Sequence, residues 1–542
     1  MSDLGDSQSD HLMVYMKSVK SINNQSSREK GKVKIRRMPQ SALNMVMKCL
    51  KSHDWSNLFE AKTAHQKAEI FYYDILFILN KHMPEKLYTF SSDDSEFFTP
   101  ELKVLDRKRK RIYYNQGKSP RWKNLNKIFK SKLAKAKINH YNKMIKQLKT
   151  DNPARWYSSL KRMTSHDQQN NQDIFIDETS NLSGEEQAEI LADKFSSIIN
   201  EYEPLKSDQI FIPFTKNPSV TVFKPSFILS YLKGIKINRS TVSGDIPAKI
   251  IKVFASYLCI PFTHILNSMI KRGEYPNIWK YEIQTPIPKV HPPSNINHLR
   301  NISGLLNFDK LAQKILGEMI VDDMKYHLDP SQYGNTKGIS IQHYLVRMIN
   351  KILSTLDDSK NGESLAIIAS LIDWKDAFPR QCPKLGINSF MRNGVRNEFI
   401  PLLINFFQER KMSVKWHGKL SSIRELNGSG PQGSSIGLLE YISQSNNNAD
   451  FVDQEERYKF MDDLSILETV NLISVGLTSY NIRGHIPSDI PTHNGYIPEI
   501  NFKTKSYMEQ IKQWTDNNKV KLNLAKTKLM IVNYTHKNLA QE

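Results

Sequence analysis

The chain has 542 residues, 39% of them hydrophobic, enough length and apolar content for several packed cores. Its 76 Lys and Arg against 55 Asp and Glu give a net charge of +21, so a polyanion is the leading expected partner, although ribosomal and chromatin factors carry the same signature. Three cysteines without paired spacing (Cys49, Cys259, Cys382), a polar and acidic start, and no apolar run near the roughly 20 residues of a membrane span argue against zinc-knuckle, disulfide-framework, secreted and membrane-spanning classes; a reducing compartment is expected.

Two helical patterns fall in residues 1–95: one with Met45, Val46, Cys49 and Leu50 on an apolar face, one from Ala64 to Leu79 carrying Ile70, Tyr73, Ile75, Phe77 and Leu79. Ser91 to Ser95 reads as a linker. From Lys103 to Lys149 the chain carries 17 Lys or Arg and a single acid, Asp106, while Trp122, Leu125, Phe129, Leu133 and Ala136, then Ile138, Tyr141, Ile145 and Leu148, recur at helical spacing. That predicts an amphipathic helix or helical pair with a cationic outer face. A charge run is usually a solvated face. At this density and single sign it repels itself unless phosphates neutralise it, which favours nucleic-acid backbone contact by Arg107, Lys108, Arg109, Lys110, Arg111, Lys123, Lys127 and Lys130. The Arg107–Arg111 run also fits a nuclear import signal.

After a polar stretch (Ser165 to Thr179), Ser183-Gly184-Glu185-Glu186 makes a capping box that opens a helix through Ile190, Leu191, Phe195, Ile198 and Ile199. A helix with Ile250, Ile251, Phe254, Leu258, Phe262, Ile265, Leu266 and Met269 ends near Gly273. Ser364 to Ile372 is an apolar run of strand length that ends in Asp373. A helix (Phe399 to Phe407) and a strand pair (Met412 to Trp416, Ile423 to Leu426) follow, then the glycine-rich loop Gly428 to Gly437, whose backbone can approach a ligand closely. Phe460-Met461-Asp462-Asp463-Leu464 reads as strand, tight turn and return strand. Repeated Pro and Gly between 469 and 505 indicate an irregular loop before a helix with Met508, Ile511 and Trp514.

Adjacent Asp residues at a hairpin tip repel each other, and a hard divalent cation such as Mg²⁺ resolves that; the plain alternative is an Asp-rich surface turn. A strand delivering Asp373 beside that hairpin gives the arrangement in which two ions about 3.5–4 Å apart clamp the oxygens of a phosphoryl transfer. Asp373-x-x-x-Ala377-Phe378, then Gly428-x-Gly430-Pro431-Gln432-Gly433, then Phe460-Met461-Asp462-Asp463 resemble, in that order, the A, B and C motifs of reverse transcriptases, most of all those of non-LTR (LINE-type) retrotransposons, the jockey-like elements of invertebrates in particular.

The resemblance implies an α+β right-hand polymerase, with fingers and palm behind a basic, mostly helical region. Ser243 to Pro247 resembles the first fingers motif. Thr285 to Lys289 and Leu299 to Ser303 resemble paired fingers strands whose Lys289 and Arg300 hold an incoming triphosphate, with Asn301 where the family has Pro. Gln332-Tyr333-Gly334 resembles a stretch lying against the template, and Lys521 to Ile531 the D motif. By the same resemblance, Asp373, Asp462 and Asp463 hold two Mg²⁺ (Mn²⁺ being the substitute ion), and Phe378 is a steric gate under the sugar. Gln432 and Gly433 meet the nascent pair or primer, and Lys526 gives a proton to pyrophosphate. From the residues alone, Lys289 and Arg300 read as surface positions, while Phe378 fits core packing as well as a gate and Lys526 a surface position as well as a proton donor. Pro379 and Arg380 depart from the usual Ala-Phe-Asp, which touches no metal ligand.

The expected organisation is 1–95, an N-terminal segment in which Ser9-Asp10-His11 resembles the end of an endonuclease; 96–165, basic and helical; 166–360, fingers; 361–542, palm, with little sequence for a thumb and hence weak primer–template grip. No nuclease activity is expected. The expected function is RNA-directed DNA synthesis on an RNA template with a DNA primer or target and dNTP, in the nucleus and in cytoplasmic ribonucleoprotein, without secretion or membrane contact. The rivals are a remnant that only binds RNA or DNA, and an RNA-directed RNA polymerase, which Phe378 argues against. Nothing in the sequence sets an oligomeric state.

Overall fold

The computed structural model describes residues 31–90, 97–150, 182–212, 221–237, 242–290, 293–336, 338–360, 365–471 and 503–533. Ser9-Asp10-His11, the Ser91–Ser95 linker, the polar stretch Ser165 to Thr179 and nearly all of the irregular loop from 472 onward lie outside these. Helices and several sheets are mixed, as expected of an α+β protein. The chain divides into two compact units, residues 1–37 with 84–172, and residues 38–83 with 173–542.

In the first unit, β1 (Gly31–Arg36) pairs antiparallel with β2 (Glu85–Phe90). The basic tract forms a helical pair, Pro100–Gln116 and Pro120–Thr150, broken at Gly117. Thr99 caps the first helix by accepting from the Leu102 amide, with Pro100 in the first turn, where its missing N–H costs nothing. Arg109 ties the two helices together. It donates to Asp106 (2.6 Å) and Asn126 (2.9 Å), and its guanidinium lies 4.3 Å from the centre of the buried Phe129 ring.

In the second unit, the helices Gln40–Lys51, Ala64–His82, Pro225–Gly234, Ala255–Arg272, Asn307–Met324 and Ile400–Phe407 share one apolar core. Helix Ala64–His82 is apolar nearly all round, so periodicity alone misassigns part of its face. Ala64, Ala68, Phe71, Ile75 and Leu79 are buried, whereas Tyr73 and Phe77 are exposed and stack on each other at 6.3 Å; Met45 is likewise exposed. The Ser183 capping box forms as expected, with Ser183 and Glu186 exchanging backbone-to-side-chain bonds at the head of helix Gly184–Ile199.

One sheet runs β4 (Leu299–Gly304), β3 (Tyr281–Pro288), β6 (Arg410–Trp416), β7 (Lys419–Leu420), with β8 (Arg424–Leu426) also on β6. β3 pairs antiparallel with β4 and parallel with β6, so the Met412–Trp416 strand belongs to the sheet that carries the Lys289 and Arg300 segments. The other sheet is ordered β11 (Lys528–Asn533), β5 (Leu365–Ile372), β10 (Asp463–Asn471), β9 (Arg457–Phe460), all antiparallel. Both of its faces are covered. Tyr344 and Met348 of helix Ile341–Lys360 pack on Ile367 and Ala369, while Tyr507, Ile511 and Trp514 of helix Lys503–Asn518 pack near Ile372 and Leu464. A central strand buried on both sides reads as a continuous apolar run, and each buried Ile or Leu contributes about 1.5–3 kcal/mol.

Candidate active site

The register of the second sheet brings the acids together. Ile372, the last residue of β5, pairs with Leu464 of β10, so Asp373 and Asp463 emerge at the same sheet end. Both line a cleft of about 500 Å³ with Tyr344, Ser465 and Lys526. Asp462 precedes Asp463 in the two-residue Met461-Asp462 turn, where Phe460 pairs with Asp463. Met461 has φ +57°, a left-handed conformation that a bulky residue adopts only when its surroundings impose it.

Those surroundings are Gln332-Tyr333-Gly334. The buried Gln332 carboxamide oxygen accepts from the Met461 amide (3.1 Å) and the Gly334 amide (2.8 Å), and Tyr333 N donates to Lys459 O (2.9 Å). A Cβ at Gly334 would stand 2.5 Å from Met461 N, so only glycine lets the two segments meet. Beneath the hairpin, buried Lys459 and Arg457 pair with Asp329 at 2.6 and 2.9 Å. The stretch expected against the template thus also fixes the hairpin turn, a role with no local sequence signal.

The three carboxylates feel one another. Partial burial, then the charges of Asp462 and Asp373, raise the Asp463 carboxyl above its usual range. Burial and the same three acids push the Tyr441 phenol well up. Asp373 Oδ2 accepts from Asn523 Nδ2 at 2.6 Å. Among the described residues no group of three or more Asp, Glu, His or Cys side chains stands close enough to hold a metal ion by itself, so Asp373 and Asp463 share a cleft without forming a closed ligand set. Hard oxygen donors under mutual repulsion are a donor set suited to Mg²⁺ or Mn²⁺.

Cations gather beside them. Arg300 pairs with Ile287 across β3–β4, and Lys289 N donates to His298 O at 2.7 Å. Partial desolvation lowers the Lys289 ammonium; Arg300 and Lys526 lower it further, against the pull of Asp376. Lys526 also lines the cleft that holds Asp373.

The glycine-rich loop lies against β4, with Ser303 N donating to Gln432 O at 3.0 Å. Gly430 serves the protein's own packing rather than a ligand: a Cβ there would fall 2.3 Å from Gly437 Cα at the head of helix Ser435–Gln444. Phe378 packs on the buried Tyr441 with ring centres 5.0 Å apart and planes tilted by 34°, and lines a small hollow with Gln432, Gly430 and Asn301. Asn301, which departs from the family's Pro, is buried. It donates to Gln284 (3.0 Å), which donates to Glu282 (2.7 Å), itself held by Ser303 (3.0 Å) and the buried Arg410 (3.3 Å). Arg380 likewise has a structural use, pairing with Glu201, which Lys521 also holds.

Glu440 was not legible as special. Its side chain is fully buried in helix Ser435–Gln444, with Oε2 accepting from Gly430 N (3.2 Å) and Oε1 unpaired. Burial raises its carboxyl to about 8. The native state therefore holds this proton more tightly than the unfolded chain, whose value is near 4.5. Stability is full below about pH 4.5 and falls as pH rises through about 8. Glu440→Gln should flatten that slope and stabilise the protein by a few kcal/mol at pH 9, as read by urea melts at pH 5, 7 and 9. A parallel slope in the variant contradicts it.

In the first unit, Arg107, Lys108, Lys110, Arg111, Lys123, Lys127 and Lys130 are exposed, while Arg109 is turned to the helical interface. Among the described residues no helix is long and apolar enough to cross a membrane.

No family model matches the chain. It is 22% identical, over 275 residues, to a Drosophila melanogaster protein named probable RNA-directed DNA polymerase from transposon X-element; the match covers 48% of this chain and 29% of the relative. The chain thus matches under a third of that relative's length.

Proposed function

Because the chain resembles the reverse transcriptases of non-LTR retrotransposons, in its motifs and in that relative, we propose that it is an RNA-directed DNA polymerase. The observation that carries this reading is the placement of Asp373 and Asp463 at one sheet end, in a cleft that Lys526 and Lys528 also line. Asp373, Asp462 and Asp463 would hold the metal pair. Bound there, two Mg²⁺ lower the pKa of a primer 3′-hydroxyl and neutralise charge on the triphosphate. Lys289 and Arg300 grip the phosphates, Arg300 through its fork of donors and Lys289 as a point charge. Lys526 gives a proton to the leaving pyrophosphate, and Gln432 and Gly433 border the nascent pair. The β3–β4 sheet serves as fingers and the Asp-bearing sheet as palm. Template RNA and a DNA primer or nicked target are the partners, and the nucleus the working compartment, which the Arg107–Arg111 run supports.

Primer extension on an RNA template tests this directly. Extension with dNTP, refusal of NTP and loss in Asp462→Ala support it; no extension by the wild-type chain leaves a nucleic-acid-binding protein. Phe378, backed by Tyr441, would exclude a 2′-hydroxyl. Phe378→Val should raise NTP incorporation relative to dNTP by about 10- to 100-fold, as read from competing single-nucleotide incorporations. An unchanged ratio removes Phe378 as the gate.

The exposed cations of helices Pro100–Gln116 and Pro120–Thr150 give nucleic-acid binding a steep salt dependence. With six or more phosphates contacted, affinity for a duplex should fall about 10³-fold between 50 and 200 mM salt, and Lys123→Ala with Lys127→Ala should reduce the slope by roughly two. A flat profile in a filter-binding series contradicts that role.

A further inference from the structure

Asn523 is a polar residue beside the candidate site whose side chain the fold does not require. The segment Lys521 to Asn523 runs alongside Asp373 to Lys375: Trp374 bridges Leu522, Lys375 N donates to Lys521 O (2.8 Å), and Asn523 N donates to Asp373 O (2.9 Å). Backbone pairing alone therefore fixes where Asn523 stands. The turn that follows closes on backbone as well, since Lys526 N and Thr527 N both donate to Asn523 O, at 3.0 and 2.9 Å. An Asn that merely shaped this turn would spend its side chain on those amides. Instead its Nδ2 reaches Asp373 Oδ2 at 2.6 Å. An ionised carboxylate only accepts, so the amide nitrogen must face it. Asp373 Oδ1 accepts no hydrogen bond among the described residues, and Asp373 lines the cleft shared with Asp463.

We propose that Asn523 is a positioning residue that orients the Asp373 carboxylate for cation binding, taking one oxygen so that the other is presented to the metal. This rests on the polymerase reading. Carboxylates that bind metals are themselves held by neighbouring donors. Such a donor fixes the rotamer against the push of Asp462 and Asp463 and draws off part of the charge, so that three acids can stand together before a cation arrives. The D-motif turn thereby contributes through Asn523 as well as through Lys526.

The test is Mn²⁺ binding to the full chain without nucleic acid or nucleotide, read by electron paramagnetic resonance of the free ion, paired with steady-state extension. Asn523→Ala should weaken Mn²⁺ binding about 10- to 100-fold. It should lower kcat at limiting Mn²⁺, with recovery at high Mn²⁺, and leave the dNTP KM within about threefold, because Lys289 and Arg300 hold the phosphates. Asn523→Leu, closer in volume, should behave alike and serves if the alanine chain melts early. Folded variants that bind Mn²⁺ like the wild type overturn the role of Asn523 alone. A wild-type chain with no Mn²⁺ site that Asp373→Asn abolishes overturns the polymerase reading and this inference together.

Discussion

Asp373→Asn or Asp462→Asn should lower primer extension by about three orders of magnitude, roughly 4 kcal/mol in barrier, while the metal-free protein becomes more stable. The two effects have one cause. The Asp463 carboxyl is raised by partial burial and by the charges of Asp462 and Asp373, so the folded state binds its proton more tightly than the unfolded chain does. This contribution to stability is complete at acid pH and falls as pH climbs above the ordinary aspartate value of 3.8 through the raised one. Removing a neighbouring charge should make that decline shallower and raise the melting temperature in chelator. Added Mg²⁺ should restore order in the wild type, raising its melting temperature more than that of either variant. Scanning calorimetry with and without Mg²⁺ reads both signs. A variant that loses activity and also melts lower in chelator points to a structural use of the aspartate instead.

Arg300→Ala should lower kcat/KM for dNTP by about 10²- to 10³-fold, the range for losing a charge-assisted clamp on a triphosphate, and Lys289→Ala by somewhat less. The pair should not be additive, since the two cations act on one ligand and each affects the other. Lys289 also predicts a pH signature. Desolvation, Arg300 and Lys526 hold its folded value below the usual 10.5, so the native state binds that proton less tightly than the unfolded chain. In the absence of nucleotide, stability should rise with pH between that lowered value and 10.5. Lys289→Met should remove the rise. Extension kinetics in which Arg300→Ala leaves kcat/KM unchanged would detach β4 from nucleotide binding.

What sequence makes legible here is whatever a local pattern encodes. An apolar run ending in Asp373 and a two-residue turn carrying Asp462 gave the sheet end, because strand length, periodicity and turn spacing are short-range facts. The Ser183 capping box was legible for the same reason. Gln332 and Asn523 were not, since each works through a partner far along the chain, Met461 and Asp373 respectively; Glu440 was not either, because its partner Gly430 is reached only when the loop folds back on the helix. Glu440 did leave a trace, an acid at a core position of an apolar helix. Asn301, which stands where reverse transcriptases of that kind have Pro, is one member of a buried polar chain reaching Arg410, and no local pattern announces that chain. Tyr73 and Phe77 misled because apolar residues occur nearly all round this helix, even on the exposed face that Gln66, Glu69 and Asn80 share with them.

The most direct test is anomalous diffraction from the protein crystallised with an RNA template, a 3′-deoxy DNA primer, the matching dNTP and Mn²⁺. Two peaks about 3.5–4 Å apart, bounded by Asp373 and Asp462 and facing phosphates held by Lys289 and Arg300, are the predicted result. Manganese bound away from Asp373, or none at this cleft with nucleotide in place, would contradict it.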